Sequence, residues 1–339
     1  MYVTYRRVSV TFGPPGALAL VSAPREAHAM SENLAAGDLI DEATGVFVAH
    51  RELLFGLVYN MLGSVADTED VLQETWLSWT SRGGGGAPLD GIAHPRAYLV
   101  RIAVNHAVQR RAAISRRRET YVGPWLPEPL VADSGADGGD AALRTESVSL
   151  AMLVVLESLT PLERAVFVLH EVFGYPHTEI AKIIDRTPAA VRQLAHRARA
   201  HVHARRPLYE AHPRVRREAT ERFVRAALGG DIGALMEILA PDVTVWTDGG
   251  GNRRGAGLRP VHGRDKAVRL VTAHAARRGA QNLDLHYRRV NGDDAVVLFS
   301  GDEPYAVMVM DLTPDGDRVS GVYIVSNPEK LTHVRKEEA

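Results

Sequence analysis

The sequence of 339 residues contains no cysteine, which removes disulfides, thiolate metal sites and cysteine nucleophiles together. It also lacks any apolar run near the ~20 residues that a helix needs to span a bilayer. A membrane protein is therefore not expected. Hydrophobic residues at 45% and charged residues at 24% lie in the ordinary range for folded soluble chains, and the length allows two or three domains, each with its own core. A more local absence is acidic charge between Arg96 and Arg118. Arg96, Arg101, Arg110, Arg111, Arg116, Arg117 and Arg118 lie there without one carboxylate, whereas Glu119 to Glu146 carries six acids and only Arg144. A basic block of this kind attracts phosphate, although a solvated helix face has the same composition.

Residues 1–40 imitate an export signal, with Arg6 and Arg7 before a mildly apolar stretch and Ala27-His28-Ala29 as a cleavage-like site. Gly13-Pro14-Pro15-Gly16 breaks that stretch, and Pro24, Arg25 and Glu26 interrupt it again where an apolar core should run on. A tail without export is expected, Met30 being an alternative start, and the protein is expected to be cytoplasmic.

From Asp41 apolar residues recur at helical spacing (Val46, Phe47, Leu53, Leu54, Leu57, Val58, Met61) until Gly63 stops the helix. Ser64, Asp67, Glu69 and Asp70 form an acidic first turn for a second helix, favoured by the helix dipole. Gly83-Gly84-Gly85-Gly86 reads as a loop, and His94-Pro95 opens a third helix. The expected organisation is a helical domain over 41–113, a flexible acidic linker over 114–146, a second helical domain over 147–207 and an α+β domain over 212–334. In the last, helices at Val215–Leu228 and Ile232–Leu239 precede Val243–Trp246, a further helix near Asp265–Ala276, and strand-like runs at Leu283–Val290, Ala295–Ser300, Tyr305–Leu312 and Val319–Val325. The turns Asn291-Gly292-Asp293 and Pro314-Asp315-Gly316 predict an antiparallel sheet.

The segment Tyr175 to Arg206 carries the clearest chemistry. Thr187-Pro188 is a good helix start, and on the helix that follows Val191, Leu194, Ala195, Ala198 and Val202 share one side while Arg192, Gln193, His196, Arg197 and Arg199 share the other. One face packs and the other suits DNA, because arginine and glutamine read base edges by paired hydrogen bonds in the major groove. An ordinary helical hairpin has the same amphipathicity.

Three stretches in order resemble one family. Ser64 to Trp79 is similar to the polymerase-binding helix of sigma region two; His94-Pro95-Arg96-Ala97-Tyr98-Leu99 through Asn105 to Arg110-Arg111 is similar to its promoter-melting part; Tyr175 to Arg199 is similar to sigma region four. On these motifs the chain is identified as a member of the extracytoplasmic-function sigma factors. The resemblance implies core RNA polymerase and promoter DNA as partners, Asp67, Asp70, Gln73 and Glu74 on the polymerase-binding face, and no cofactor. Holding separated strands calls for cations and planar groups: Arg96, Arg101, Arg110 and Arg111 are candidates for the first, Tyr98 and Asn105 for contact with bases. Tyr98 is equally a core residue by type.

The C-terminal part resembles the SnoaL-like cone fold, found in a subgroup of these sigma factors as a built-in regulator. The subgroup marks are Trp125-Leu126-Pro127-Glu128-Pro129, Asp248-Gly249-Gly250-Gly251 and Asn327-Pro328-Glu329-Lys330-Leu331, with Asn252 where lysine is usual and Arg253 or Arg254 as a substitute charge. Expected from this is regulation by docking, with an unknown small ligand for the C-terminal pocket left open. The cone also houses enzymes, for which Asp248, His262, His286 and Asp311 are bases by type and Tyr305 or Tyr323 oxyanion donors; no spacing unites them. His201 and His203 point to different sides of a helix, so no metal site is expected. The rival readings are a helix-turn-helix repressor acting without polymerase and a DNA-binding module fused to a small pocket enzyme.

Overall fold

Helix α1 (Arg25–Leu62) ends where the backbone turns left-handed at Gly63, φ +70°, a conformation that costs glycine nothing. Helices α2 (Val65–Gly83) and α3 (Pro95–Arg118) pack beside it, burying Leu54, Leu57, Val58 and Met61 against Val71, Leu72 and Trp79 and against Leu99, Val100, Ala103 and Val104. The computed structural model describes residues 25–83, 92–118, 120–132, 148–205, 212–251, 257–278 and 283–336. Two expected boundaries move: α1 reaches back into the tail drawn over 1–40, and α3 passes Ala113 to enter the expected linker. The glycine loop after Gly83 lies outside the described residues.

Helices α4 (Leu150–Leu156) and α5 (Pro161–Phe167) are separated at Thr160, which caps α5 reciprocally with Glu163. A π-helical turn (Val168–Val172), α6 (His177–Ile183) and α7 (Pro188–Arg205) follow, α7 being capped by the Thr187 hydroxyl accepting from the Ala190 amide at 3.2 Å. The buried side of α7 joins the same apolar cluster as α1 to α3, so the two helical units share one core. A buried ion triad ties them further. Glu157 accepts from Arg111 at 2.8 Å and from Arg164 at 2.6 Å, while Arg164 Nε donates to the Asn60 carbonyl at 2.9 Å. Burial draws both guanidinium pKa values down, that of Arg111 to about 10, and the charge of Arg111 lowers that of Arg164 further.

The C-terminal domain has α8 (Pro213–Gly229), α9 (Ile232–Ile238), β1 (Leu239–Asp248), β2 (Val261–His262), α10 (Arg264–Arg278), β3 (Asp284–Val290), β4 (Asp293–Ser300), β5 (Glu303–Leu312) and β6 (Val319–Val325). The sheet order is β2-β1-β6-β5-β4-β3. Its expected antiparallel character holds for every pair except β1 and β6, which run parallel. The last strand of the β3 to β6 meander returns to the centre beside β1 after a long crossover, the connection that parallel pairing requires. One face of the sheet (Val296, Leu298, Ala306, Met310, Val322) packs on Phe223, Val224, Leu235 and Val268 of α8 to α10. The other (Val297, Phe299, Val307, Val309, Tyr323, Val325) packs on Leu126, Val131, Leu150 and Ala151.

Those last residues correct the flexible linker. Residues 126–131 are buried, and Val131 makes an antiparallel bridge to Val290, with Ala132 N donating to Arg289 O at 2.8 Å. Prolines at 124, 127 and 129 suit an extended strip as well as a loose one. Residues 133–147 lie outside the described residues.

Glu157→Gln removes the charge that Arg111 and Arg164 share. Chemical denaturation is expected to show a loss toward the lower end of the about 3–5 kcal/mol typical of a broken buried pair, since Glu157 keeps some exposure. An unchanged midpoint would mean that water satisfies both guanidiniums.

Candidate nucleic-acid interface

Helix α7 divides as its wheel requires. Val191, Leu194, Ala195, Ala198 and Val202 are buried, and Arg192, Gln193, His196, Arg197 and Arg199 are exposed. Arg197 reaches back to Glu163 at 3.1 Å and Arg199 to Glu171 at 2.6 Å, so these two arginines also hold the helix in place. Arg192, Gln193 and His196 form the outward face. At the start of α6, His177 stacks against His170 with ring centroids 4.2 Å apart. Burial, His170, Arg199 and Arg192 all hold the His177 pKa below its usual value. It is neutral near pH 7.

The expected strand-separating set on α3 does not stay together. Arg96 and Arg101 are exposed, and Tyr98 is half-buried, its ring 5.9 Å from that of Trp79. Asn105 donates to the carbonyls of Arg101 at 2.8 Å and of Ile183 at 3.1 Å. In this arrangement it meets region-four backbone. Arg111 is 3% exposed and bound to Glu157, which corrects its assignment to DNA phosphate: a guanidinium inside the core cannot release counterions. Arg110 turns toward α2, donating to Glu74 at 2.7 Å and Asp70 at 3.1 Å with Asp67 at 3.5 Å. Thus three of the four residues expected on the polymerase face surround one arginine, and Gln73 is exposed beside them.

The residues expected to regulate lie at a three-way junction. Asp248, at the end of β1, is fully buried. Its Oδ1 accepts from the Tyr121 hydroxyl at 2.5 Å and the Gly250 amide at 3.1 Å; its Oδ2 accepts from the Leu126 amide at 2.8 Å and from Lys330 Nζ at 2.7 Å. Lys330 Nζ also donates to Leu126 O and lies 4.0 Å from the Trp125 ring centroid. Gly250, φ +62°, has no room for a side chain because a Cβ would sit 2.6 Å from Asn327. Asn327 in turn caps the 3-10 turn Pro328–Lys330 and donates to the Tyr121 hydroxyl at 3.0 Å. Leu331 is buried, whereas Pro328 and Glu329 are exposed. Gly249 is buried and Gly251 abuts Val122; residues 252–256, including Asn252, lie outside the described residues.

On its other side the strip grips α1. Glu128 Oε2 accepts from the Val65 amide at 2.7 Å, Glu128 N donates to Gly63 O at 2.9 Å, and the Tyr59 hydroxyl donates to Glu128 O at 2.6 Å. Asn291 completes the link: Nδ2 donates to the Tyr59 hydroxyl at 2.8 Å while Oδ1 accepts from Leu130 N at 3.1 Å. Sequence reasoning missed Tyr59, Tyr121, Asn291 and His333, which meets Pro129 O at 2.7 Å. Asn291 was visible only as a turn residue.

The residues available by type for catalysis are dispersed. Asp248 is saturated, His262 bonds Thr244, His286 lies edge-on to Phe299, and Tyr305 and Tyr323 belong to opposite faces of the sheet.

A helix-turn-helix unit packed on a three-helix unit with a basic third helix defines the class, a two-module promoter-reading protein. Residues 46–118 match the model for Sigma-70 region 2, and residues 149–202 that for Sigma-70, region 4. The chain is 36% identical over 301 residues to the ECF RNA polymerase sigma factor SigJ of Mycobacterium tuberculosis (strain ATCC 25618 / H37Rv), covering 84% of this chain and 92% of the relative. It is 29% identical over 301 residues to the probable ECF RNA polymerase sigma factor SigI of Mycobacterium tuberculosis (strain CDC 1551 / Oshkosh), covering 88% and 97%. The crystal structure of Mycobacterium tuberculosis extracytoplasmic function sigma factor SigJ superposes with a TM-score of 0.68 at 31% identity, covering 85% of this chain and 98% of that one. The chain belongs to the extracytoplasmic-function RNA polymerase sigma factor family, whose members bind the polymerase and recognise promoters.

Arg192→Ala or Gln193→Ala is expected to weaken promoter binding by about 1–3 kcal/mol if that residue pairs with a base, with a smaller change on random duplex. Competition binding checks it; equal losses on both duplexes would reduce these positions to phosphate contacts.

Proposed function

We propose that this sigma factor is restrained in cis by its C-terminal domain, which docks through the strip at 120–132 and holds regions two and four in one compact body. The observation that carries this reading is the Tyr121–Val131 strip, bonded on one side to Asp248, Lys330 and Asn291 and on the other to Tyr59, Gly63 and Val65. Polymerase binding requires regions two and four at a particular separation, so a third body holding both shifts the population toward the compact form. The contact between Asn105 and Ile183 fits the same restraint, because it occupies a residue expected to meet bases.

The proposed site residues remain Arg192, Gln193 and His196 for the duplex, Arg96, Tyr98, Arg101 and Asn105 for the melted strand, and Asp67, Asp70, Gln73 and Glu74 for the polymerase. The helices on one face of a mixed sheet are consistent with a SnoaL-like cone. Among the described residues its inner face is filled by apolar side chains, which favours regulation over catalysis or a small ligand. Among the described residues no helix is long and apolar enough to cross a membrane, in keeping with a cytoplasmic partner of the polymerase. A repressor acting alone does not explain the resemblance of Ser64–Trp79 to the polymerase-binding helix.

Truncation after Val325 removes Asn327, Lys330 and Leu331 together, and Trp125→Ala removes the ring under Lys330. Both are expected to increase solution dimensions in X-ray scattering and to raise run-off transcription with core polymerase. Unchanged compactness and output in both variants would sink the restraint.

A further inference from the structure

The surroundings of Lys330 have the composition of a receptor for an organic cation. Its ammonium lies 4.0 Å from the Trp125 ring centroid and 5.2 Å from that of Tyr121, against the Asp248 carboxylate at 2.7 Å and the Leu126 carbonyl. Aromatic faces with a carboxylate are the arrangement that binds alkylammonium groups, since ring quadrupoles attract a poorly hydrated cation and do little for sodium. The four groups come from the strip and the end of β1, and Asn327 of the tail steadies the Tyr121 hydroxyl from outside. Beside the lysine, Asp248 has the Leu126 and Gly250 amides and the Tyr121 hydroxyl as donors.

We propose that Trp125, Tyr121, Asp248 and the Leu126 carbonyl form a binding site for a small primary ammonium compound, and that Lys330 is its tethered, displaceable occupant. Asp248 has no exposed surface in the docked state, so departure of Lys330 leaves a negative charge at a cavity of ammonium size, which favours replacement by another cation. The tether gives Lys330 a high effective concentration. An external cation thus competes only at high concentration or while the tail is detached. The regulatory consequence, release of the tail by such a compound, rests on the restraint proposed above; the binding itself does not.

Lys330→Ala empties the cage in the full-length chain. Methylammonium and ethylammonium, compared with sodium at equal ionic strength, are expected to raise its thermal midpoint by at least about 2 °C at tenfold excess over the dissociation constant, and the gain is expected to vanish in Lys330→Ala/Trp125→Ala. Equal effects of sodium and the ammonium ions overturn the site. Should Lys330→Ala fail to fold, the wild type serves: ammonium ions should change Trp125 fluorescence, identified by its loss in Trp125→Ala, and expose the tail to protease, and no difference from sodium again overturns the site. Promoter output of the wild type separates the two proposals. Selective binding with unchanged output overturns the tail restraint and leaves the cage standing.

Discussion

Asp248 is a carboxylate with no surface in contact with water, and the junction of the three domains depends on how it is satisfied. A buried charge of this kind is tolerated only when paired and fully hydrogen-bonded. Four donors meet it, and they come from separate parts of the chain: Tyr121 and Leu126 from the strip, Gly250 from the glycine turn and Lys330 from the tail. Burial and the neighbouring carboxylate push the Tyr121 phenol well above its usual range, so it remains a proton donor at any working pH. Lys330 supplies the positive charge among these four, and the other three are neutral donors, so loss of the tail leaves the carboxylate without a counter-charge. The strip, the turn and the tail thus form one cooperative unit although they are far apart in sequence.

The strip then passes that constraint to the helical body. Its backbone at Glu128 and Leu130 is bonded to Gly63, Tyr59 and Asn291, so Asn291 of the β3–β4 turn and Tyr59 of α1 meet across the strip. The left-handed Asn291, φ +51°, is where a two-residue hairpin turn requires asparagine or glycine. It also aims the amide at both partners. Below this, Glu157 between Arg111 and Arg164 joins α3 to the α4–α5 corner. The net value of a buried triad is small, but breaking it is costly; its effect is to fix one arrangement of the two sigma regions.

Much of the fold was legible because local signals agreed. Gly63 and Thr187-Pro188 each mark a helix end where one occurs, and the α7 wheel divides correctly between core and solvent. The strip was misread because its proline content fits a loose linker as well as an extended, buried segment. A signal for the second existed. Ala295-Val296-Val297-Leu298-Phe299 is apolar at every position, without the alternation of a half-exposed strand, and such a run means that both faces of the sheet are covered. What covered the second face could not be read, because the partners are distant in sequence. The arginine block failed in a similar way. Composition makes Arg110 and Arg111 equivalent, yet adjacent positions on a helix point about 100° apart, which sends one to the α2 carboxylates and the other into the core.

That rotation also bears on how the molecule changes state. Arg110 is 22% exposed among Asp67, Asp70 and Glu74, and partly exposed ion pairs are weak enough to exchange partners readily. Arg111 is sealed and holds its partner whatever docks outside. Solvent-facing ion pairs therefore lie on α2, while the helical body packs on buried side chains. A regulator acting on such a body needs to change only which surfaces are covered. The contacts of the C-terminal domain meet that requirement: they run through the strip, the tail, the Asn291–Tyr59 bond and the apolar packing of the sheet on Leu126, Leu150 and Ala151, and their hydrogen bonds are ones that water can replace once that apolar face begins to part.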